Sequence, residues 1–290
     1  MMRIDCVVRG ANRLGESPVW SVREQRLYWV DSRAPAVFRL DPATGVVEDL
    51  SLPSIVGSIG LRRGGGLVAA LQTGLHLLDF DSRRLDFVAD PEAHLPENRF
   101  NDGRCDRRGR FWSGTMNDAR REPTGSLYRL DPDFTVARIR DDVIVPNSIC
   151  WSPDDTVMYF ADTYREQMMA YTFHPDTGEL SGLRPFADDR QGPGRPDGST
   201  VDAEGFLWNA KFGGGRVVRY DPKGRVDRIL DLPVSQPSSC VFGGPDLRTL
   251  YVTSATQRLD DAQLAAQPLA GGLFAADVGV AGLPEPEFAG

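Results

Sequence analysis

The sequence predicts an all-β protein, a six-bladed β-propeller built as one domain over residues 1–290. Three observations lead there. Helical periodicity is almost absent: short apolar stretches such as RLYWV, VFRLD, GLVAAL, VMYFAD and TLYVTS alternate with polar residues and end at Gly, Pro, Asp or Asn. Turn formers are abundant, with 30 Gly and 21 Pro in 290 residues, about 18% where roughly 12% is usual. One phrase also recurs six times: a polar anchor, small or apolar residues, a turn, then an aromatic-rich strand.

Taken in order, the first copy is ESPVWSVREQRLYWVD from Glu16, and the second is SIGLRRGGGLVAAL from Ser58. NDGRCDRRGRFWSGTM follows from Asn101 and NSICWSPDDTVMYFAD from Asn147. DGSTVDAEGFLWNAKF from Asp197 and SSCVFGGPDLRTLYVTS from Ser238 complete the set. Trailing strands run into turns, as in VFRLDPATG, SLYRLDPD, MAYTFHPDTG and VVRYDPKG. A unit of about 40–50 residues and four strands cannot bury both its faces alone, whereas radial stacking of six copies buries them all. GGLFAADV near the end and RIDCVV near the start are expected to complete one blade together. The single helical turn expected runs from Asp260 to Ala266 and is stopped by Pro268. The glycine clusters Gly64–Gly66 and Gly213–Gly215 read as hairpins, since no helix pattern follows them to cradle a phosphate.

Charge and cysteine use narrow the function classes. Lys and Arg number 33 against 41 Asp and Glu, a formal net charge of −8, so nucleic acid is not an expected partner. No apolar run of about 18 residues exists to span a membrane. No apolar region follows the N-terminal residues as a signal peptide would require. Cys6, Cys105, Cys150 and Cys240 form no C-x-x-C pair and read as free, buried thiols in a reducing compartment, hence a cytoplasmic protein. A monomer or weak homo-oligomer is expected. The tryptophans Trp20, Trp29, Trp112, Trp151 and Trp208 fall in repeat strands and read as blade core.

Equivalent positions of all blades lie on one ring about the propeller's channel. The anchors Glu16, Ser58, Asn101, Asn147, Asp197 and Ser238 therefore converge on one point. Carboxylates and amide oxygens facing each other across a narrow channel repel when nothing lies between them, and a hard divalent cation resolves this. Oxygen-only ligation suits Ca²⁺, Mg²⁺ or Mn²⁺, with Zn²⁺ and Fe²⁺ also open. The competing reading is that each anchor caps its own turn, as Asp, Asn and Ser do routinely. His76, His94 and His174 stand outside the anchor phase and no G-x-S-x-G elbow occurs, which argues against a Ser-His-Asp triad.

The anchor segments resemble the gluconolactonase/SMP-30 (regucalcin) family of six-bladed propellers. The phrases that carry it are LGESPVW at 14–20, NRFNDG at 98–103, GTM at 114–116, PNS at 146–148 and PDG at 196–198. DAEGFLW at 202–208, CVFGG at 240–244 and PLAGGLF at 268–274 extend the likeness to most of the chain. The resemblance implies a hydrolase that opens a sugar lactone using one divalent metal in the channel. It implies Glu16, Asn147 and Asp197 as metal ligands, with Asp197 also a candidate general base, and Arg99 and Asn101 as the pair that orients substrate. Arg99 is expected to donate a forked pair of hydrogen bonds to the lactone oxygens. The family's acidic sugar-binding position after GTM falls on Asp118 or Glu122. The alternatives are a metal-dependent phosphotriesterase or aryl esterase on the same scaffold, and a non-catalytic calcium-binding propeller.

Overall fold

The computed structural model describes residues 3–188 and 192–290. Among them are six four-stranded antiparallel sheets, five of which pair consecutive strands in sequence order, while the sixth takes in the N-terminal strand. The innermost strands are Gly15–Ser21, Val56–Leu61, Asn98–Cys105, Pro146–Trp151, Arg195–Val201 and Pro237–Gly243, one for each repeat and each carrying its anchor. The six-bladed reading of the repeat is the observed architecture.

Packing shows why the unit repeats. Six hydrophobic clusters occupy the described residues, and each lies between two neighbouring blades. Blades 3 and 4, for example, share Trp112, Leu127, Ile149, Trp151, Phe160 and Phe173. The two inner strands of a blade are buried on both faces, as in Leu67–Leu71, and read as continuous apolar runs. Outer strands such as Val46–Ser51 are mostly exposed. All five tryptophans are buried in these layers.

The ring closes by exchange of its ends. The N-terminal strand Asp5–Val8 pairs antiparallel with Leu273–Asp277 and becomes the outermost strand of blade 6. The one helix among the described residues, Asp261–Ala266, is opened by a capping box between Asp260 and Gln263. The glycine clusters 64–66 and 213–215 sit between paired strands, as hairpins. Cys105, Cys150 and Cys240 are buried, Cys6 is half-buried, and all four are free. No helix among the described residues is long and apolar enough to cross a membrane.

A feature without a counterpart in the repeat follows blade 6. The C-terminal segment crosses the face of the ring where the inner hairpins turn. Gly282 N donates to Leu247 O, Ala203 N to Ala281 O, Phe288 N to Leu61 O, and Ala289 N to Gly109 O. Phe288 is fully buried between blades 2 and 3, and Glu285 pairs with the inner-strand Arg104 at 3.4 Å. The channel is thereby covered at that end. The anchors lie near the starts of the inner strands, toward the opposite end.

Candidate active site

Every inner strand leaves regular pairing at or beside its anchor. Register shifts fall between Glu16 and Val19, Val56 and Ser58, Phe100 and Gly103, Asn147 and Cys150, Pro196 and Ser199, and Pro237 and Ser239. A bulge re-aims side chains locally, and here six of them do so around one axis. Ser17 and Ser148, directly after Glu16 and Asn147, take left-handed φ of 49° and 60°, uncommon for non-glycine residues. Both are tied to the next blade: Ser17 Oγ accepts from Ile59 N at 2.9 Å, and Ser148 Oγ donates to Asp197 O at 2.6 Å. Gly198 serves the same closeness, since a Cβ there would collide with Ser239.

The anchors divide by chemistry. In blade 2 the bulged residue is Gly57, which packs against the backbone of Phe100 and Asn101. Ser58 stands one residue further and bonds Ser113 Oγ at 3.1 Å. The repeat phase thus placed Ser58 on the ring one residue too late. Ser238 bonds Gly15 O and Thr253, within the wall. Glu16, Asn101, Asn147 and Asp197 line one cavity together with Arg99, Met116, Arg121, Thr163, Tyr164 and Arg258. All five residues singled out for metal and substrate are therefore brought together.

Hydrogen bonds order part of this set. Asn147 Nδ2 donates to Thr163 Oγ1 at 2.7 Å, and Thr163 Oγ1 donates to Pro196 O at 2.8 Å. With Nδ2 committed, the Asn147 carbonyl oxygen is left for the cavity, where Asn101 Nδ2 reaches it at 3.2 Å. Asn101 also donates to Pro146 O at 2.9 Å and accepts from Arg99 Nη1 at 2.8 Å. Arg99, only 3% exposed, spends Nε on Asp118 at 2.8 Å and Nη1 also on Phe100 O at 2.9 Å. Nη2 is left without a protein acceptor among the described residues. The forked pair expected of Arg99 is thus already used by the protein, and one nitrogen faces the cavity.

The carboxylates are the strained part. Burial pushes the Glu16 carboxyl well above its ordinary value, and the charges of Asp197 and Asp102 push it further. Burial and the Asp102 charge do the same to Asp197. Burial raises Asp102 to about 6 against the backbone N–H bonds of Ile149 and Gly103. Glu16 and Asp197 form no ion pair among the described residues. Two like charges enclosed without an ion-pair partner, and eased only by the charge of Arg99, constitute an environment that a divalent ion relieves. Glu16, Asp197 and the Asn147 carbonyl oxygen together offer hard oxygen donors of the kind Ca²⁺, Mg²⁺ or Mn²⁺ take. Among the described residues no group of three or more His, Cys, Asp or Glu is spaced to hold a metal, so the amide oxygen is essential to such a site.

Asp118 and Glu122 have different roles. Asp118 receives Arg33 through two bonds at 2.6 and 2.7 Å, Arg99 at 2.8 Å and Arg121 at 3.3 Å. Burial alone would raise its carboxyl, but the bonds from Arg33 and the charge and bond of Arg99 hold it well below the usual carboxylate range. Glu122 is half exposed and among the described residues pairs only with Arg120, at 4.0 Å. On the facing wall, burial would raise the Tyr164 phenol, yet Arg258 and Arg121 bring it below its ordinary value. Sequence reasoning did not reach Asp102, Thr163, Tyr164, Arg121 or Arg258.

Residues 14–256 match the SMP-30/Gluconolactonase/LRE-like region, a span that contains all of these residues but Arg258. The chain belongs to the SMP-30/gluconolactonase/LRE-like family. Within this family it is 43% identical to a 6-deoxy-6-sulfogluconolactonase of Pseudomonas putida, over 99% of both chains. It is 38% identical to a regucalcin of Xenopus laevis over 100% of this chain and 99% of that one. The structure of a calcium-binding regucalcin of Agrobacterium tumefaciens superposes with a TM-score of 0.95 at 33% identity, covering 99% of this chain and 97% of that chain. The likeness to these relatives thus extends along nearly the whole chain.

Proposed function

We propose that this protein is a sugar lactonase that opens the ring of an aldonolactone by hydrolysis, with one divalent cation at Glu16, Asn147 and Asp197. The observation that carries the reading is the pair of enclosed carboxylates, neither in an ion pair among the described residues, beside an arginine with one nitrogen turned to the same cavity. Full-length similarity to a 6-deoxy-6-sulfogluconolactonase supports the lactone as substrate class, and similarity to calcium-binding regucalcin supports the cation. When bound, a divalent cation supplies polarisation of the lactone carbonyl and compensation of the negative charge that develops on its oxygen.

The chain's own groups account for the rest. Arg99 Nη2 donates to a lactone oxygen, and its remaining nitrogens, fixed by Asp118, Asn101 and Phe100 O, hold the guanidinium in place. Asn101 positions a ring hydroxyl while locking the Asn147 amide. Asp197 takes a proton from the attacking water as its oxygen bonds to the carbonyl carbon, its basicity raised by burial and by Asp102. The acyl–oxygen bond of the ring then breaks, and the ring oxygen recovers that proton as a hydroxyl, leaving the aldonic acid.

A phosphotriesterase or aryl esterase would use the same cation, but no feature of the cavity selects an aryl or phosphotriester group. A non-catalytic calcium-binding role does not account for an arginine 3% exposed and braced by three partners with one nitrogen left over. A pH-stat assay over aldonolactones, after chelation and after Ca²⁺, Mg²⁺, Mn²⁺ or Zn²⁺ is restored, tests the reading. Acid release that disappears with chelator and returns with a cation is expected. No acid release from any lactone in the presence of bound cation refutes it.

A further inference from the structure

The outer wall of the cavity carries more positive charge than an uncharged polyol requires. Three guanidiniums, those of Arg33, Arg99 and Arg121, share the single carboxylate of Asp118. Arg33 takes both its oxygens at 2.6 and 2.7 Å, so Arg121, at 3.3 Å, is only partly compensated. Arg258 lines the same cavity; among the described residues it forms no ion pair, and its side chain donates one hydrogen bond, from Nη2 to the Tyr164 hydroxyl at 3.3 Å. Arg121 also lies over the Tyr164 ring, 6.0 Å from its centroid. Two under-neutralised guanidiniums therefore meet around one phenol, at the mouth of a site in a chain of net charge −8.

Their place relative to the reacting groups is set by the hydrogen-bond chain. Asn147 leads to Asn101, then Arg99, then Asp118, then Arg121. On the other wall, Asn147 leads to Thr163, whose neighbour Tyr164 leads to Arg258. Both routes start at the candidate metal ligand and end at the mouth. A lactone with its carbonyl at Arg99 extends its far end toward Arg121 and Arg258.

We infer that the lactone this enzyme opens carries an anionic substituent, a phosphate or a sulfonate, at the end remote from its carbonyl, and that Arg121 and Arg258 bind it beside Tyr164. The inference rests on the lactonase reading above. Guanidiniums suit such groups because their planar N–H donors match tetrahedral oxyanions, and each charge-assisted contact is stronger than a bond to a neutral hydroxyl. Because Arg258 is exposed, part of its contribution is screened and depends on salt.

The test compares gluconolactone with 6-phosphogluconolactone and 6-deoxy-6-sulfogluconolactone on the metal-supplemented enzyme, and repeats the comparison on Arg258→Gln, Arg121→Gln, the double variant and Arg258→Lys. A kcat/KM at least about tenfold higher for an anionic lactone is expected. The anionic-to-neutral ratio should fall by about tenfold in Arg258→Gln, fall further in the double variant and recover in part in Arg258→Lys. KM for the anionic lactone should rise with added salt. Whichever anionic lactone is faster identifies the anion as phosphate or sulfonate. Equal or better turnover of the neutral lactone by the wild type, or a ratio unmoved by the variants, overturns the inference and leaves the lactonase reading intact. Absence of turnover for all three lactones refutes the lactonase reading itself.

Discussion

Replacing Glu16 by Gln should stabilise the protein in chelator while abolishing cation binding. Glu16 and Asp197 are enclosed carboxylates whose acidity is depressed by burial and by neighbouring carboxylates, Asp197 and Asp102 for Glu16 and Asp102 for Asp197. Because their folded pKa values lie above the unfolded ones, the unfolded chain gives up its protons first as pH rises. Stability of the metal-free protein therefore declines as pH rises from the unfolded values, 4.5 for Glu16 and 3.8 for Asp197, toward the folded values, by up to about 1.4 kcal/mol per pH unit for each group. An amide of the same shape keeps the oxygen that accepts the Ser17 backbone N–H and removes the charge. For an unpaired charge that retains an edge on the cavity, relief of about 1–3 kcal/mol is reasonable. In a domain of this size that is a rise of roughly 2–6 °C in Tm. Differential scanning calorimetry in chelator at pH 5, 7 and 8 reads both effects: Glu16→Gln melts higher, and it loses less stability with pH than the wild type, because Asp197 alone of the pair still titrates from a raised value. Excess Ca²⁺ should raise the wild-type Tm and leave the variant unchanged. A variant that melts lower in chelator, or a metal-free wild type insensitive to pH over this range, refutes the claim that burial and neighbouring charge hold these carboxylates at raised values.

Asp118→Ala removes the partner of three arginines and leaves Arg99 buried without its ion pair; a loss of about 3–5 kcal/mol in urea unfolding is expected, with a raised KM from a misplaced guanidinium. A loss below about 1 kcal/mol would show that the cluster is exposed and screened. Phe288→Ala should cost about 3–5 kcal/mol, because its ring is fully buried between blades 2 and 3, and limited proteolysis should then release the C-terminal segment that covers the channel. Unchanged urea unfolding would mean that this segment is not bound as described.

The anchors were readable because, in a closed ring, phase within the repeat is the same thing as distance from the axis. Glu16, Asn101, Asn147 and Asp197 could be placed without knowledge of any pairing. Ser58 lies one residue past the ring position its phase implies, since a one-residue bulge at Gly57 cannot be seen in a pattern of period two. Asp102 was hidden beside Asn101: in a regular strand adjacent side chains face opposite ways, and only the bulge lets both residues serve the channel wall. Arg121, Tyr164 and Arg258 sit in loops beyond the repeat phrase, where spacing carries no radial information. The C-terminal segment has neither strand periodicity nor a repeat partner, and its contacts lie at Leu61 and Gly109, far away in sequence. The acidic surplus also had more structural use than surface solvation. Asp106 accepts from Trp112 Nε1 and Asp202 from Trp208 Nε1, both at 2.8 Å, each also pairing with a buried arginine. That tryptophan–carboxylate link recurs at equal spacing in blades 3 and 5, and its signal is present in DRRGRFW and DAEGFLW.

The central claim, that Glu16, Asn147 and Asp197 together hold one cation on which lactone opening depends, is tested most directly by titrating the chelated enzyme with a divalent ion while following both heat and initial rate. One binding event per chain is expected, with a rate that rises in step with it and levels at one equivalent, and neither signal in Glu16→Gln. Full lactonase activity before any cation is added, or cation binding and activity retained in Glu16→Gln, would contradict it.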